Sequence, residues 1–97
     1  MFEQSWIPSL PPLVGTERQV DWAATERHKL LTLAEHALRV GRSLPELPET
    51  TVRDALGWLG SINDAGWWLD DRDLSGIDVA LVALGGVAAN WHPTRVD

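Results

Sequence analysis

Apolar residues recur at helical spacing in three stretches of this chain, separated by segments rich in proline, glycine and acid. From Thr16 onward, a step of about 100° per residue places Val20, Ala23, Ala24, Leu30, Leu31, Ala34, Ala37 and Leu38 on one face. The helix this predicts runs to about Val40. Thr16 and Gln19 stand at capping-box spacing at its start, and Gly41 stands where a left-handed C-terminal cap belongs. Arg27 falls in the middle of the apolar face, where a guanidinium is costly unless a carboxylate meets it. Trp22, Leu33 and Val40 make a second, narrower stripe about 150° away. His28 and His36 point outward.

The second stretch follows a proline-punctuated loop, 43–49, and opens with Thr51 and Asp54 at capping-box spacing. Carried through to about Asp70, it puts Val52, Ala55, Leu56, Trp58, Leu59, Ile62, Gly66 and Leu69 on one broad face. Trp67 then lies at the edge, and Trp68 projects among Asp54, Gly57, Ser61 and Asp64. Alternatively Ser61, Ile62, Asn63 and Asp64 form a fresh cap, which breaks the helix and resets that projection.

The third stretch opens with the capping box of Ser75 and Asp78, runs to about Asn90 and is stopped by Pro93. It is apolar nearly all round, with Ile77, Ala80, Leu81, Leu84, Val87 and Ala88 on one side and Val79, Val82, Ala83 and Ala89 elsewhere. Such a helix is either the centre of a bundle or meets a second chain through its outer face. Gly85, Gly86, Ala88 and Ala89 allow close backbone approach. Residues 1–14 read as an extended arm in which Trp6, Ile7, Leu10, Leu13 and Val14 alternate with prolines. The arm is either a polyproline-type ligand for an aromatic groove or a strap across its own bundle. The fold expected is all-α: a compact bundle of three main helices over 15–97, with a break near residue 61 left open, behind the arm.

A chain of 97 residues has room for one core. The absence of cysteine removes disulfides, thiolate catalysis and cysteine-based zinc sites, and it fits a reducing cytoplasm. The first residues carry no basic region and soon meet Pro8, Pro11 and Pro12, so no signal peptide is expected. The longest apolar run, 77–89, is broken by Asp78, Gly85 and Gly86 and is too short to span a bilayer.

Charge sharpens the reading. Eight basic against fourteen acidic residues give a net charge of −6, and the imbalance lies wholly in residues 44–97, with nine acids and three bases. Phosphate neutralisation drives most duplex affinity, so this balance runs against direct nucleic-acid binding. An acidic face instead suits a basic protein partner.

Little else carries chemistry. Residues 71–76 match the opening of an EF-hand loop, but Val82 stands at the twelfth position, where a bidentate glutamate is required. His28 and His36 lie roughly 12 Å apart along the helix, too far to share a metal. No serine, histidine and acid set shows a nucleophile elbow, and no glycine-rich phosphate loop follows a strand. The chain therefore reads as a non-enzyme with no cofactor and no metal. Six tryptophans remain to be placed. Trp22, Trp58 and Trp91 sit on or beside apolar stripes and are expected in the core. Trp68, projecting outward among acids, has the character of an interface anchor.

Two segments resemble a recurrent pattern. Residues 10–27, LPPLVGTERQVDWAATER, are similar to the L-P-x-L-x-G-(S/T)-x-x-Q-x-x-W-A-x-x-x-R of small phage and mobile-element proteins, with Glu26 where an aliphatic residue is usual. Residues 67–72, WWLDDR, resemble the W-W-x-D-x-R that follows it. The resemblance implies a phage or mobile-element setting but no activity and no functional residues. Its recurrent arginine and aspartate correspond to Arg27 and Asp70, which are expected to form a buried or half-buried structural ion pair. By analogy with small acidic proteins of that setting, the function expected is inhibition of a host CRISPR effector, in the host cytoplasm. The contact residues would be Asp54, Asp64, Trp68, Asp71 and Asp73. The alternative is a homodimeric accessory or adaptor module of a mobile element, assembled through residues 76–90.

Overall fold

The computed structural model describes residues 10–42 and 44–93. They form four helices: α1, Glu17–Arg39; α2, Glu49–Gly60; α3, Ala65–Asp70; and α4, Gly76–Ala89. No helix among them is long and apolar enough to cross a membrane. The fold is all-helical, and the second apolar stretch is two helices.

Local chemistry explains most of the boundaries. At the start of α1 the Gln19 amide donates to Thr16 Oγ1 (3.2 Å) and the Thr16 amide donates to Gln19 Oε1 (2.9 Å), the reciprocal pairing of a capping box. Ser75 caps α4 by accepting from the Asp78 amide at 3.1 Å. Two expected caps are corrected. Gly41 is not left-handed; its small size serves close packing, since a Cβ there would lie 2.8 Å from the Ala37 carbonyl oxygen. The helix expected to open at Thr51 opens instead after Pro48, whose fixed φ suits a helix entrance.

The break between α2 and α3 organises the rest. Ser61 ends α2, and Asp64 caps α3 by accepting from the Gly66 amide at 3.0 Å. A broken helix leaves backbone groups without helical partners, and the arm supplies them. The Val14 amide donates to the Asn63 carbonyl (2.7 Å), and the Ala65 amide donates to the Val14 carbonyl (2.9 Å). Gly15 fits here because a Cβ would stand 3.0 Å from that of Ala65. Residues 10–15 are thus a strap on their own bundle, while Trp6, Ile7 and Pro8 lie outside the described residues.

α1 packs against all three other helices, and α4 packs against α1 and α2. Leu30, Leu59, Ile62, Trp68 and Val79 are the largest fully buried side chains. Trp68 is therefore no outward anchor: the new cap at Asp64 resets the helical phase, and its indole Nε1–H donates to the Ile62 carbonyl at 3.0 Å. Trp67 meets it edge to face, with centroids 5.0 Å apart. Two tryptophans expected in the core lie on the surface, Trp22 at 54% and Trp91 at 60% exposure. Ala24 is exposed as well.

The Arg27–Asp70 pair does not form. The Arg27 guanidinium is half-buried and donates from Nη1 to the Pro11 carbonyl at 2.8 Å, while Asp70 is exposed and makes no ion pair among the described residues. The arm supplies the arginine's partner, and a backbone carbonyl satisfies the donor without desolvating a second charge.

Candidate docking surfaces

The ion pairs among the described residues are all made by glutamates. Lys29 meets Glu26 at 2.7 Å, Arg39 meets Glu35 at 3.1 Å and also Glu49, and Arg53 meets Glu49 at 3.0 Å. The chain of Glu35, Arg39, Glu49 and Arg53 ties α1 to the start of α2. The Arg39 and Arg53 guanidiniums hold the Glu49 carboxyl below the usual range. Arg72 stacks on the Trp22 ring, 5.1 Å from its centroid, and its carbonyl accepts from Lys29 Nζ at 3.0 Å. Arg72, within the acidic segment 70–73, is therefore engaged with Trp22 and Lys29 of α1.

The acids singled out in the sequence divide accordingly. Asp64 is used in capping α3. Asp71 and Asp73 lie in the turn between α3 and α4, and burial, with Asp70 adding to it, pushes the Asp71 carboxyl above the usual aspartate range. Asp54 stands apart on α2, at the edge of a cleft. Asp54, Asp71 and Asp73 make no ion pair among the described residues.

The cleft, of about 440 Å³, lies between α2 and the end of α4. Trp58 forms its floor, with Trp91 at 6.5 Å and His92 edge-on at 5.2 Å. The Trp58 indole donates to the Trp91 carbonyl at 2.6 Å. Ser61 Oγ and His92 Nε2 are 2.7 Å apart, the spacing of a nucleophile and its base. The protons argue otherwise. His92 Nε2 also lies 2.9 Å from the Trp58 carbonyl, which can only accept, so Nε2 carries a hydrogen. Ser61 Oγ donates to the same carbonyl at 2.9 Å. In this tautomer Nε2 cannot take the serine proton, so the pair closes the end of α4 onto α2 without activating Ser61. These contacts join residues some thirty positions apart, and no local spacing in the sequence announces them.

The third surface is the outer face of α4. Val79, Ala80, Ala83 and Gly86 face inward. Leu81 is 50% exposed, and Ile77, Val82, Gly85, Ala88 and Ala89 are exposed with it. Asp78 is the helix's single charge. Leu33 of α1, also exposed, extends the apolar area, because its backbone presses against Gly76. The two adjacent glycines differ in what surrounds them. A Cβ on Gly86 would lie 2.2 Å from the Trp58 ring, whereas a Cβ on Gly85 would meet nothing within 4 Å. Compared with protein-family models, curated proteins and solved structures, the chain finds no match in any of the three.

Proposed function

We propose that this chain is a non-catalytic protein of a phage or mobile element that inhibits a host defence effector of the CRISPR type by covering a basic, nucleic-acid-binding surface. The observation that carries the reading is that, among the described residues, the aspartates at 54, 71 and 73 make no ion pair and the ion pairs present are made by glutamates. An acid whose ionisation is already disfavoured, as at Asp71, gains most from a lysine or arginine brought up by a partner. With Trp68 inside the core, the contact relies on charge and weakens with salt. The phage setting rests on the sequence resemblance of residues 10–27 and 67–72.

The test is cleavage by a purified effector, titrated with wild type and with Asp71→Lys/Asp73→Lys. Both positions lie outside the helices, and Asp71 closes α3 through its backbone N–H, which lysine retains, so the double variant keeps its fold and loses inhibition. Undiminished inhibition by a folded double variant would falsify the occluding face. A second reading, a homodimeric accessory module joined through residues 76–90, is favoured by the exposed and nearly uncharged outer face of α4.

A further inference from the structure

We infer that the outer face of α4 is occupied by a second copy of this chain, with the two α4 helices antiparallel across a twofold axis and Leu81 of each copy seated over Gly85 of the other. The inference rests on the second reading above and specifies its geometry.

The first argument is Gly85. A glycine inside a helix is less stable than alanine there, and inside a chain it is normally explained by a neighbour. Gly86 has that neighbour in Trp58; Gly85 has none within 4 Å, and unlike Gly57, which is also open but lines the cleft beside α4, it lies on the outer apolar face. A partner approaching from outside would use the missing side chain.

The second argument is the grading of the face. Its first half carries Ile77, Leu81 and Val82, and its second half carries Gly85, Ala88 and Ala89. A surface that runs from bulky to small is complementary to itself only when one copy is reversed, as a twofold axis perpendicular to the helices provides. In that register Ile77 lies opposite Ala89 and Leu81 opposite Gly85. A parallel pairing would set bulky against bulky and leave voids at the other end.

Charge selects the same occupant and orientation. Each copy carries −6, so copies associate only through a face that brings no like charges together. Asp78 is the one charge on α4, and antiparallel packing keeps its two copies roughly 15 Å apart. An acidic partner would be repelled by Asp78, and a basic one would find that single carboxylate and no other charge on α4. The area is adequate but small: two 14-residue helices with Leu33 alongside bury on the order of 1,000 Å² in total, the lower end for stable association.

The experiment is sedimentation equilibrium of the full chain across micromolar concentrations, at about 0.05 M and 0.5 M salt. A concentration-dependent dimer is expected that tightens several-fold at the higher salt, because screening relieves the repulsion between copies. Leu81→Asp and Gly85→Leu each shift it to monomer by tenfold or more in Kd, with helicity and melting retained because both positions face solvent. A wild type that stays monomeric at hundreds of micromolar overturns the inference. So does a dimer that loosens with salt, or one that survives both substitutions. A monomeric wild type leaves the acidic-face reading standing, since effector cleavage tests that separately.

Discussion

The ring of Trp58 fills the space that any side chain at position 86 would need, with Cε2 and Cζ2 each 2.2 Å from where a Cβ on Gly86 would stand. The indole also donates to the Trp91 carbonyl, so it cannot withdraw without releasing the end of α4. Gly86→Ala should destabilise the protein by about 1–3 kcal/mol through overpacking, despite alanine's better helix propensity. Gly85→Ala, one residue away in open space, should stabilise the monomer by up to about 1 kcal/mol. Urea unfolding of the two variants side by side, under dilute conditions, checks the contrast.

Trp68 is a core residue with one polar obligation. Trp68→Ala should cost about 3–5 kcal/mol, enough to unfold a marginal domain. Trp68→Phe keeps much of the volume but leaves the Ile62 carbonyl without its indole donor, which costs a further 1 kcal/mol or so beyond the packing change. The melting temperatures should fall in the order wild type, Phe, Ala. If Trp68→Ala melted like wild type, the burial at this position would be wrong.

Arg27 donates to Pro11 and not to a carboxylate. Arg27→Met should therefore cost only about 1 kcal/mol, because it also relieves the burial that lowers the arginine's pKa. Asp70→Asn should not lower stability, since the charge it removes only repels Asp71. A loss above about 3 kcal/mol in either variant, or coupling between them in a double-mutant cycle, would restore the ion pair excluded here.

Two carboxylates give opposite pH dependences. The Asp71 carboxyl titrates above its unfolded value because of burial and Asp70. The native state then holds the proton longer than the unfolded chain. Its contribution is most favourable below about pH 3.9, the ordinary aspartate value, and declines as pH rises through the higher native value. Glu49 is held low by Arg39 and Arg53, so its contribution is present above the ordinary glutamate value and is lost as pH falls through the native one. Asp71→Asn should raise the melting temperature at neutral pH and have no such effect at pH 3. Glu49→Gln should lower it at neutral pH, and less so in high salt.

Features set by nearest neighbours were legible in the sequence. The capping boxes at Thr16 and Ser75, the inward face of α1 and the punctuation at 61–64 need only a few residues to form, and their spacing shows in the chain. Trp68 was misjudged because a helical projection accumulates phase, and a break of four residues resets it. Arg27 was misjudged because its partner is a backbone carbonyl of the arm, and a carbonyl leaves no mark in composition. Trp22 belongs to the narrower stripe with Leu33 and Val40, which the other helices do not cover, and Trp91 lies beyond the end of α4. Of the acidic set, Asp54, Asp71 and Asp73 make no ion pair among the described residues, while Asp64 went to the fold, since an aspartate before a helix reads the same as one awaiting a ligand.

The strap at Val14 also bears on the order of assembly. Its two backbone hydrogen bonds go to Asn63 and Ala65, about fifty residues away along the chain, a separation that makes a contact slow to close. During synthesis α1 emerges with neither this anchor nor the helix break that receives it. Arg27 acquires its carbonyl only when the arm docks. Early in the chain and late in the fold, residues 10–15 act as a latch, and a protein caught without them seated would expose Leu10, Leu13 and the gap between α2 and α3 together.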